Sequence, residues 1–151
     1  MRGEYLDGKI WNGKGKKFNF YGQLEFEGEY VNGLKEGYIK EYHNNGKLKF
    51  EGEYLKGEKS GKAKEYNEKC EIIFEGEYMD DIKWYGKGKE YRNYNELIFE
   101  GEYINGEKSG NGKEYYDNGN LLFEGEFING KWNGYIKEYI KKVKSYLKAN
   151  I

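Results

Sequence analysis

The sequence contains few of the side chains that could catalyse a reaction or bind a metal ion. It has one histidine, His43, and one cysteine, Cys70, and the two are far apart along the chain. A protein zinc site needs about four nitrogen or sulfur ligands, and a Ser-His-Asp triad would have to use His43. His43 is expected in an exposed turn, and Cys70 in another turn is interpreted as incidental rather than reactive. We therefore predict no metal site and no cofactor.

Glutamates offer a second possible chemistry, because two of them flank a glycine in a motif that recurs along the chain. Two nearby carboxylates are the machinery of a glycosidase. An active site needs one pair unlike the others, whereas five near-identical pairs indicate a structural period. The Gly-x-Gly triplets at 86–88 and 110–112 are followed by neither Gly-Lys-Ser/Thr nor a helix, so they do not form a phosphate loop. We predict no catalytic residue and no enzyme activity.

Aromatic and basic residues alternate along the chain, which is also a pattern of single-stranded nucleic-acid binding. Lysine is matched by glutamate throughout, and the formal net charge is −1. No basic stripe is left, so nucleic acid is not predicted as a partner. Tyrosines (17) and phenylalanines (8) supply much of the 36% hydrophobic content, beside 35% charged residues. This composition indicates a folded chain with a thin aromatic core rather than a disordered one.

The location of the protein is predicted from what the sequence lacks. The start, MRGEYLDGKI, has no apolar signal region, and no apolar run approaches the about 20 residues that span a bilayer. One cysteine excludes an internal disulfide framework. We expect a cytoplasmic protein.

A strong internal repeat organises the chain. A first motif recurs every 24 or 25 residues, at 26–30, 50–54, 74–78, 99–103 and 123–127, as Phe-Glu-Gly-Glu-Tyr/Phe. A second motif, such as GYIKEY or GKGKEY, lies between them at 37–42, 61–66, 86–91, 110–115 and 134–139. The segments 1–5 and 13–18 fit the same frame, so the chain contains six two-part units.

Each motif is predicted to be a β-strand. In the first motif, period 2 places Phe, Gly and Tyr on one face and both Glu on the other. A glycine in mid-strand indicates a close approach, and we expect a ring of the neighbouring strand to lie over it. Lysines of the second strand are expected beside the glutamates, in alternating sign. A bulge at the second motif's glycine would invert that strand, so its faces stay open.

Asn-Gly and Asp-Gly pairs predict the hairpin turns. They occur on one edge at 7–8, 32–33, 105–106 and 129–130, and on the opposite edge at 45–46 and 118–119. The segment 79–85 has one extra residue and lacks the turn glycine. We expect its turn to differ from the others.

These motifs resemble MORN repeats. The Glu-Gly-Glu-aromatic core, the Asn-Gly turn and the downstream Gly-x-Gly carry the resemblance, and the segments 45–54 and 115–127 are similar to the variant repeats of bacterial MORN proteins. The resemblance covers 1–139, with departures at 67–71 and 80–85. It implies a twisted, groove-forming sheet that is usually a scaffold or adaptor for proteins, and lipid binding has been proposed for the family. The predicted fold is all-β, an elongated single-layer antiparallel sheet of six stacked hairpins.

Residues 140–151 break the repeat. Ile140, Val143, Leu147 and Ile151 have helical spacing, and lysines 141, 142, 144 and 148 surround them. We predict a short amphipathic C-terminal helix that caps the last hairpin. The chain is expected to be a monomer, or to associate weakly through the ends of the array.

The predicted function is partner binding along the sheet. Trp11, Trp84 and Trp132 are expected in the same loop of their repeats, where tryptophan serves either as a binding hot spot or as edge packing. The predicted partner-binding set is completed by Tyr30, Tyr54, Tyr78, Tyr85, Tyr103 and Phe127. About 50–60 Å of sheet suits an extended or helical peptide. An antitoxin or immunity-like role is one alternative, and contact with an anionic membrane through the C-terminal helix is another, not favoured.

Overall fold

The computed structural model describes residues 2–6, 9–93 and 95–138, and these residues form one antiparallel sheet whose strands follow chain order. The twelve strands are β1 (Arg2–Leu6), β2 (Lys9–Phe18), β3 (Leu24–Val31), β4 (Leu34–Tyr42), β5 (Leu48–Leu55), β6 (Glu58–Tyr66), β7 (Ile72–Met79), β8 (Ile82–Arg92), β9 (Glu96–Ile104), β10 (Glu107–Tyr115), β11 (Leu121–Ile128) and β12 (Lys131–Glu138). The predicted all-β array of six hairpins is confirmed. The predicted C-terminal helix and the turn at 7–8 lie outside the described residues.

The two faces of the sheet differ in composition, as the period of the first motif predicts. One face, here the aromatic face, carries the Phe of each first motif and the ring four residues later. Eight of these rings are buried: Phe26, Phe50, Tyr54, Phe74, Tyr78, Phe99, Tyr103 and Phe127. Rings of successive repeats meet edge to face, with centroids 6.0 Å apart for Phe50 and Tyr78 and 5.3 Å apart for Phe99 and Phe127. The core is therefore a ladder one ring deep.

The other face, here the charged face, carries the first Glu of each first motif between lysines of the neighbouring strands. Lys16 and Glu27 are 2.7 Å apart, and Lys64 and Glu75 are 2.9 Å apart. The expected alternation of charge across the sheet is confirmed. Each such exposed pair contributes only about 0.2–1 kcal/mol, so the row adds little to stability compared with the ring ladder.

The second strands also place charge on the aromatic face, which the sequence left open. Lys59 pairs with Glu65 of its own strand at 2.7 Å. Its ammonium lies 4.4 Å from the centroid of Phe50 and 5.1 Å from that of Tyr78. The ammonium groups of Lys35, Lys83 and Lys108 likewise lie over rings of this face, and that of Lys83 pairs with Glu65 of β6. Cation–π contact and the lysine stems cover the rings, so the thin core is shielded without a second layer.

The first-motif glycines at 28, 52, 76 and 101 face backbone or aliphatic atoms of the neighbouring strand rather than one of its rings. A methyl carbon added at Gly101 would lie 2.8 Å from Gly112 Cα and 2.9 Å from Asn111 O, and the nearest ring atom, 2.6 Å away, belongs to Phe99 of the same strand. The prediction of a neighbouring ring over this glycine is therefore wrong. Rings of the neighbouring strand instead cover the second motif, at Gly88 and Gly112.

The turns on one edge are two-residue hairpins with both residues at positive φ, for example 52° and 76° at Asn32 and Gly33. Asp80 and Asp81 keep this conformation, at 51° and 65°, so the prediction of a different turn there is wrong. The extra residue lies in β8, where Trp84 is unpaired between the pairs Tyr78–Lys83 and Glu77–Tyr85. Trp11 is unpaired in the same way in β2. Phe74 consequently lies opposite Gly88, whereas Phe50 lies opposite Glu65.

Hydrogen bonds between successive turns fix the stacking of the repeats along both edges of the sheet. On one edge the amide of Gly33 donates to Trp11 O at 2.8 Å, and that of Gly57 donates to Lys35 O at 2.9 Å. On the opposite edge Gln23 Nε2 donates to Asn44 O at 2.7 Å. His43 Nε2 lies 2.8 Å from Tyr66 O on that edge and is half-buried, so the expectation of an exposed His43 is wrong.

Cys70 occupies the position that glycine holds in the equivalent turns, and this gives a first prediction. Its φ is 69°, and Gly46 in the equivalent position has 78°. A side chain in this region costs about 1 kcal/mol, so Cys70→Gly is expected to raise the free energy of unfolding by up to that amount. Urea denaturation measures the change. Cys70→Ser removes only the thiol and serves as the control. Equal stability of the Ser and Gly variants would show that the turn carries no such strain.

Candidate functional site

A groove runs over the middle of the charged face. It consists of two adjoining cavities of about 770 and 630 Å³, which share Glu75, Lys87 and Glu102 as lining residues. We call them the first and second cavity, and together the central groove. The first extends from Glu71 to Gly125, and the second includes Tyr38 and Tyr85. Glycines line both, because the motif leaves no side chain at mid-strand.

Three large apolar side chains line the second cavity and are exposed. Tyr38, Tyr85 and Ile104 have exposed fractions of 56%, 61% and 42%. Tyr38 Oη donates to Glu51 at 2.9 Å. Tyr85 lies opposite Glu77, at a position that Asn12, Glu36 and Asn133 hold in other repeats, so it places a ring where those repeats have a polar side chain. Exposed rings in a concave site are the usual anchors of a binding surface.

Tyrosine hydroxyls donate hydrogen bonds to the glutamates that face the middle of the groove. A hydrogen bond from Tyr66 lowers the pKa of Glu51, burial opposes this, and a further hydrogen bond from Tyr38 and the charge of Lys40 lower it again. Tyr115 Oη donates to Glu100 at 2.6 Å, and Lys89 is 3.8 Å from the same carboxylate. This row of the charged face is therefore paired internally.

A second row of glutamates is not paired in this way. It consists of the second Glu of each first motif, and among the described residues none of its members forms an ion pair with Lys or Arg: Glu29, Glu53, Glu77, Glu102 and Glu126. Glu102 does accept the amide of Asn111 at 3.1 Å. The row leaves negative charge available to a partner.

Aliphatic side chains follow the unpaired glutamates by two residues and so share their face. They are 42–51% exposed and recur once per repeat: Val31, Leu55, Met79, Ile104 and Ile128. Two strands separate successive members, which corresponds to about 9.6 Å. An acidic row and an aliphatic row thus run in parallel along one side of the charged face.

The predicted partner-binding residues are not brought together. Tyr54, Tyr78, Tyr103 and Phe127 are buried in the ring ladder, and Tyr30 packs against it, all on the face opposite the groove. Tyr85 is the member of the set that lines the groove. Whether any of these residues contacts a partner stays a prediction.

The tryptophans were expected in the same loop of their repeats, but the structure places them within strands. Trp132 is half-buried against Phe127, with ring centroids 3.8 Å apart. Trp11 is 39% exposed and lies over the turn at Gly33, 3.2 Å from where a side chain would begin there. All three stand two residues before the second-motif glycine. Trp132 pairs with Phe127 as Lys35 pairs with Tyr30, whereas Trp11 and Trp84 each lie unpaired in a bulge of their strand.

Two groove residues, Tyr38 and Ile104, were missed by sequence reasoning. Tyr38 stands where other repeats have Lys62, Lys87 and Asn111, so it differs between repeats, which was the criterion applied to the tryptophans. Ile104 differs little from its equivalents and gives no such signal. The bare glycine backbone between the strands is what makes both of them lining residues.

Within the described residues the structure groups no three His, Cys, Asp or Glu side chains in a way that could hold a metal ion. The described part of the chain also has no helix long and apolar enough to cross a membrane.

The repeat geometry agrees with a comparison against protein families. The MORN repeat matches at residues 26–47, 50–67, 99–121 and 123–135, which together make up half of the chain. This protein belongs to the MORN-repeat family, whose repeats are generally non-enzymatic modules. The unmatched stretch between 67 and 99 contains Cys70 and the extra residue of β8. No curated protein matches the chain.

Proposed function

We propose that this protein is a non-enzymatic scaffold or adaptor that binds a segment of a partner protein in the central groove. The observation that carries the proposal is the coincidence of the second cavity with three exposed apolar side chains, Tyr38, Tyr85 and Ile104. Other exposed apolar side chains of the charged face, such as Leu55 and Met79, line neither cavity. A concave site with apolar anchors and a polar rim is the usual form of a peptide-binding site.

The dimensions of the groove suit a peptide rather than a small molecule. The second cavity reaches from Tyr38 in β4 to Ile104 in β9, which is five strand spacings or about 24 Å. An extended peptide covers that length with about seven residues, at about 3.3 Å each. Tyr85 lies opposite Ile104 on adjacent strands at one end of this span, and Tyr38 lies at the other, so the peptide would have an apolar anchor at each end.

The proposal predicts that loss of the anchors abolishes binding. The immobilised protein is used to capture binding proteins from lysate, and the captured amount is then compared for Tyr85→Ala/Ile104→Ser. Truncating apolar anchors of a binding site costs about 2 kcal/mol or more, so captured partner should fall at least about 30-fold at limiting concentration. Both residues are exposed, so the melting temperature should stay close to that of the unchanged protein.

Phe20→Ala/Tyr21→Ala is the matched control, because these rings are 98% and 83% exposed in the turn between β2 and β3, away from the groove. It should leave capture unchanged. If the control abolished capture and the groove variant did not, the partner would bind at the edge of the array and the proposal would be wrong.

A further inference from the structure

Charge is divided unequally along the chain. The sequence has 26 basic and 27 acidic residues, and four of the lysines but none of the acidic residues lie in 139–151. The preceding residues therefore carry a net charge of −5 and the last thirteen carry +4. Two parts of one chain with opposite net charge attract each other over about a Debye length, about 8 Å at physiological salt.

The described chain ends beside the first cavity. Glu138, the last residue of β12, pairs with Phe123, and the next residue on β11 is Glu124, which lines that cavity. Five glutamates (71, 75, 100, 102 and 124) and three lysines (87, 89 and 113) line it, a net charge of −2. Glu126, on the same face as Glu124, and Glu102 form no ion pair among the described residues. A basic segment leaving β12 thus starts at an acidic surface.

The sequence of 139–151 has the pattern that this surface requires. Ile140, Val143 and Leu147 recur at i, i+3 and i+7, and so do Lys141, Lys144 and Lys148. In a helix these spacings form two adjacent stripes, one apolar and one basic. Apolar partners are present in the cavity lining, where Ile72, Ile73 and Tyr91 lie at its far end.

The length of this segment as a helix also matches the distance across the strands of the first cavity. Twelve helical residues span about 18 Å at about 1.5 Å each. Four strand spacings, from β12 to β8, are about 19 Å. A helix that starts after Glu138 would therefore end over β8, at Lys89 and Tyr91.

From these observations we propose that residues 139–151 dock as an amphipathic helix in the first cavity of the same chain. The basic stripe faces Glu102 and Glu126, and the apolar stripe covers the glycine floor. Because Glu75, Lys87 and Glu102 belong to both cavities, the docked segment competes with a partner in the second cavity, a consequence that rests on the proposed function. Docking itself does not depend on that function.

Cross-linking in the full chain tests the docking. In a Cys70→Ser background, cysteines are introduced by Lys89→Cys and Ala149→Cys, and disulfide formation is followed under mild oxidation. An intramolecular disulfide is expected at a rate that does not depend on protein concentration. Adding Lys144→Glu and Lys148→Glu should lower the rate about tenfold, whereas Lys142→Glu, outside the basic stripe, should change it less than about threefold. Tyr21→Cys with Ala149→Cys is the position control and should not cross-link.

Three results would overturn the proposal. One is a disulfide in the Lys89→Cys/Ala149→Cys variant that forms no faster than the disulfide of the Tyr21→Cys/Ala149→Cys control. A helix that caps the outer edge of β12 would give this result. Another is a cross-link that forms only between chains. The third is a rate that the charge reversal leaves unchanged. Loss of partner capture in the preceding experiment does not bear on any of them, so the two proposals fail separately.

Discussion

Gly101→Ala is expected to destabilise the array by about 3 kcal/mol, the upper range of overpacking. The added carbon would meet Phe99 Cζ of its own strand at 2.6 Å and two backbone atoms of β10, Gly112 Cα at 2.8 Å and Asn111 O at 2.9 Å. Backbone in mid-sheet cannot yield without lengthening the hydrogen bonds of the pair, whereas a side chain can rotate. Gly76 faces the same situation, since the carbonyl of Tyr85 and Gly86 Cα are its nearest neighbours. Valine at either position should cost more than alanine.

Gly112→Ala is the matched control for this prediction. Its added carbon would meet ring atoms, Phe127 Cε2 at 2.8 Å and Phe99 Cε2 at 2.9 Å, rather than backbone. The equivalent positions in other repeats hold Ala63 and Ile39, both buried. We expect a cost of about 1 kcal/mol there. Urea denaturation of the three proteins decides it, and equal destabilisation by Gly101→Ala and Gly112→Ala would contradict the backbone explanation.

The first strands were predictable from the sequence because apolar and charged residues alternate in them with a period of two. Phe50, Gly52 and Tyr54 share a face in the structure as the alternation requires, and Glu51 points the other way. The turn at 32–33 follows from Asn-Gly, since few residue pairs accept two positive φ values. In both cases a single local rule decides, and no long-range contact opposes it.

The two faces of the second strands were not predictable, because charged residues of these strands lie on the aromatic face. Lys59 and Glu65 are charged and yet lie on the aromatic face, where the lysine stem and ammonium cover two rings and the carboxylate neutralises the charge. Burial raises the pKa of Glu65, but the charge of Lys83 and the hydrogen bond and charge of Lys59 outweigh it, so its pKa is lowered overall. A hydropathy pattern assigns such residues to solvent. Only the three-dimensional pairing shows that they belong to the core.

The lining of the groove depends on the extra residue in 79–85, and the sequence does not show where the structure places that residue. An extra residue in 79–85 can lengthen a turn or bulge a strand, and the two choices differ in which side chain reaches the groove. The turn at 80–81 keeps its two-residue form, and β8 has a bulge at Trp84 beyond which Tyr85 pairs with Glu77. Tyr85 belongs to the predicted partner-binding set and lines the groove, whereas other rings of that set, such as Tyr78, are core residues.

Alkaline pH is expected to unfold the array cooperatively between about pH 10 and 12, the interval between the ordinary tyrosine pKa and the raised values. Burial and a hydrogen bond to Glu51 raise the pKa of Tyr66 to about 12. Burial and a hydrogen bond to Glu27 do the same for Tyr42, to about 12. Burial first, and then the charge and hydrogen bond of Glu41, raise the pKa of Tyr54 still further.

The sign of the effect follows from proton linkage. These tyrosines hold their protons more tightly in the folded chain than in the unfolded chain, whose tyrosines titrate near about pH 10. The stabilisation they provide is fully present below that pH and is lost as the pH rises toward the folded value of about 12 for Tyr42 and Tyr66. Several tyrosines act in the same direction, so their contributions add over a narrow interval of pH.

Tyrosinate absorbance in the near ultraviolet and far-ultraviolet circular dichroism should therefore change together in an alkaline titration. Lysines also lose their charge near about pH 10.4, so a variant is needed to isolate the tyrosines. Tyr42→Phe/Tyr66→Phe removes two of the tyrosines whose pKa is raised. Compared at equal free energy of unfolding at neutral pH, this variant should unfold at a higher pH than the unchanged protein. Exposed Tyr21→Phe is the control and should leave the midpoint unchanged. Complete tyrosinate formation in a chain that keeps its strand signal would show that the ring hydroxyls do not couple to folding.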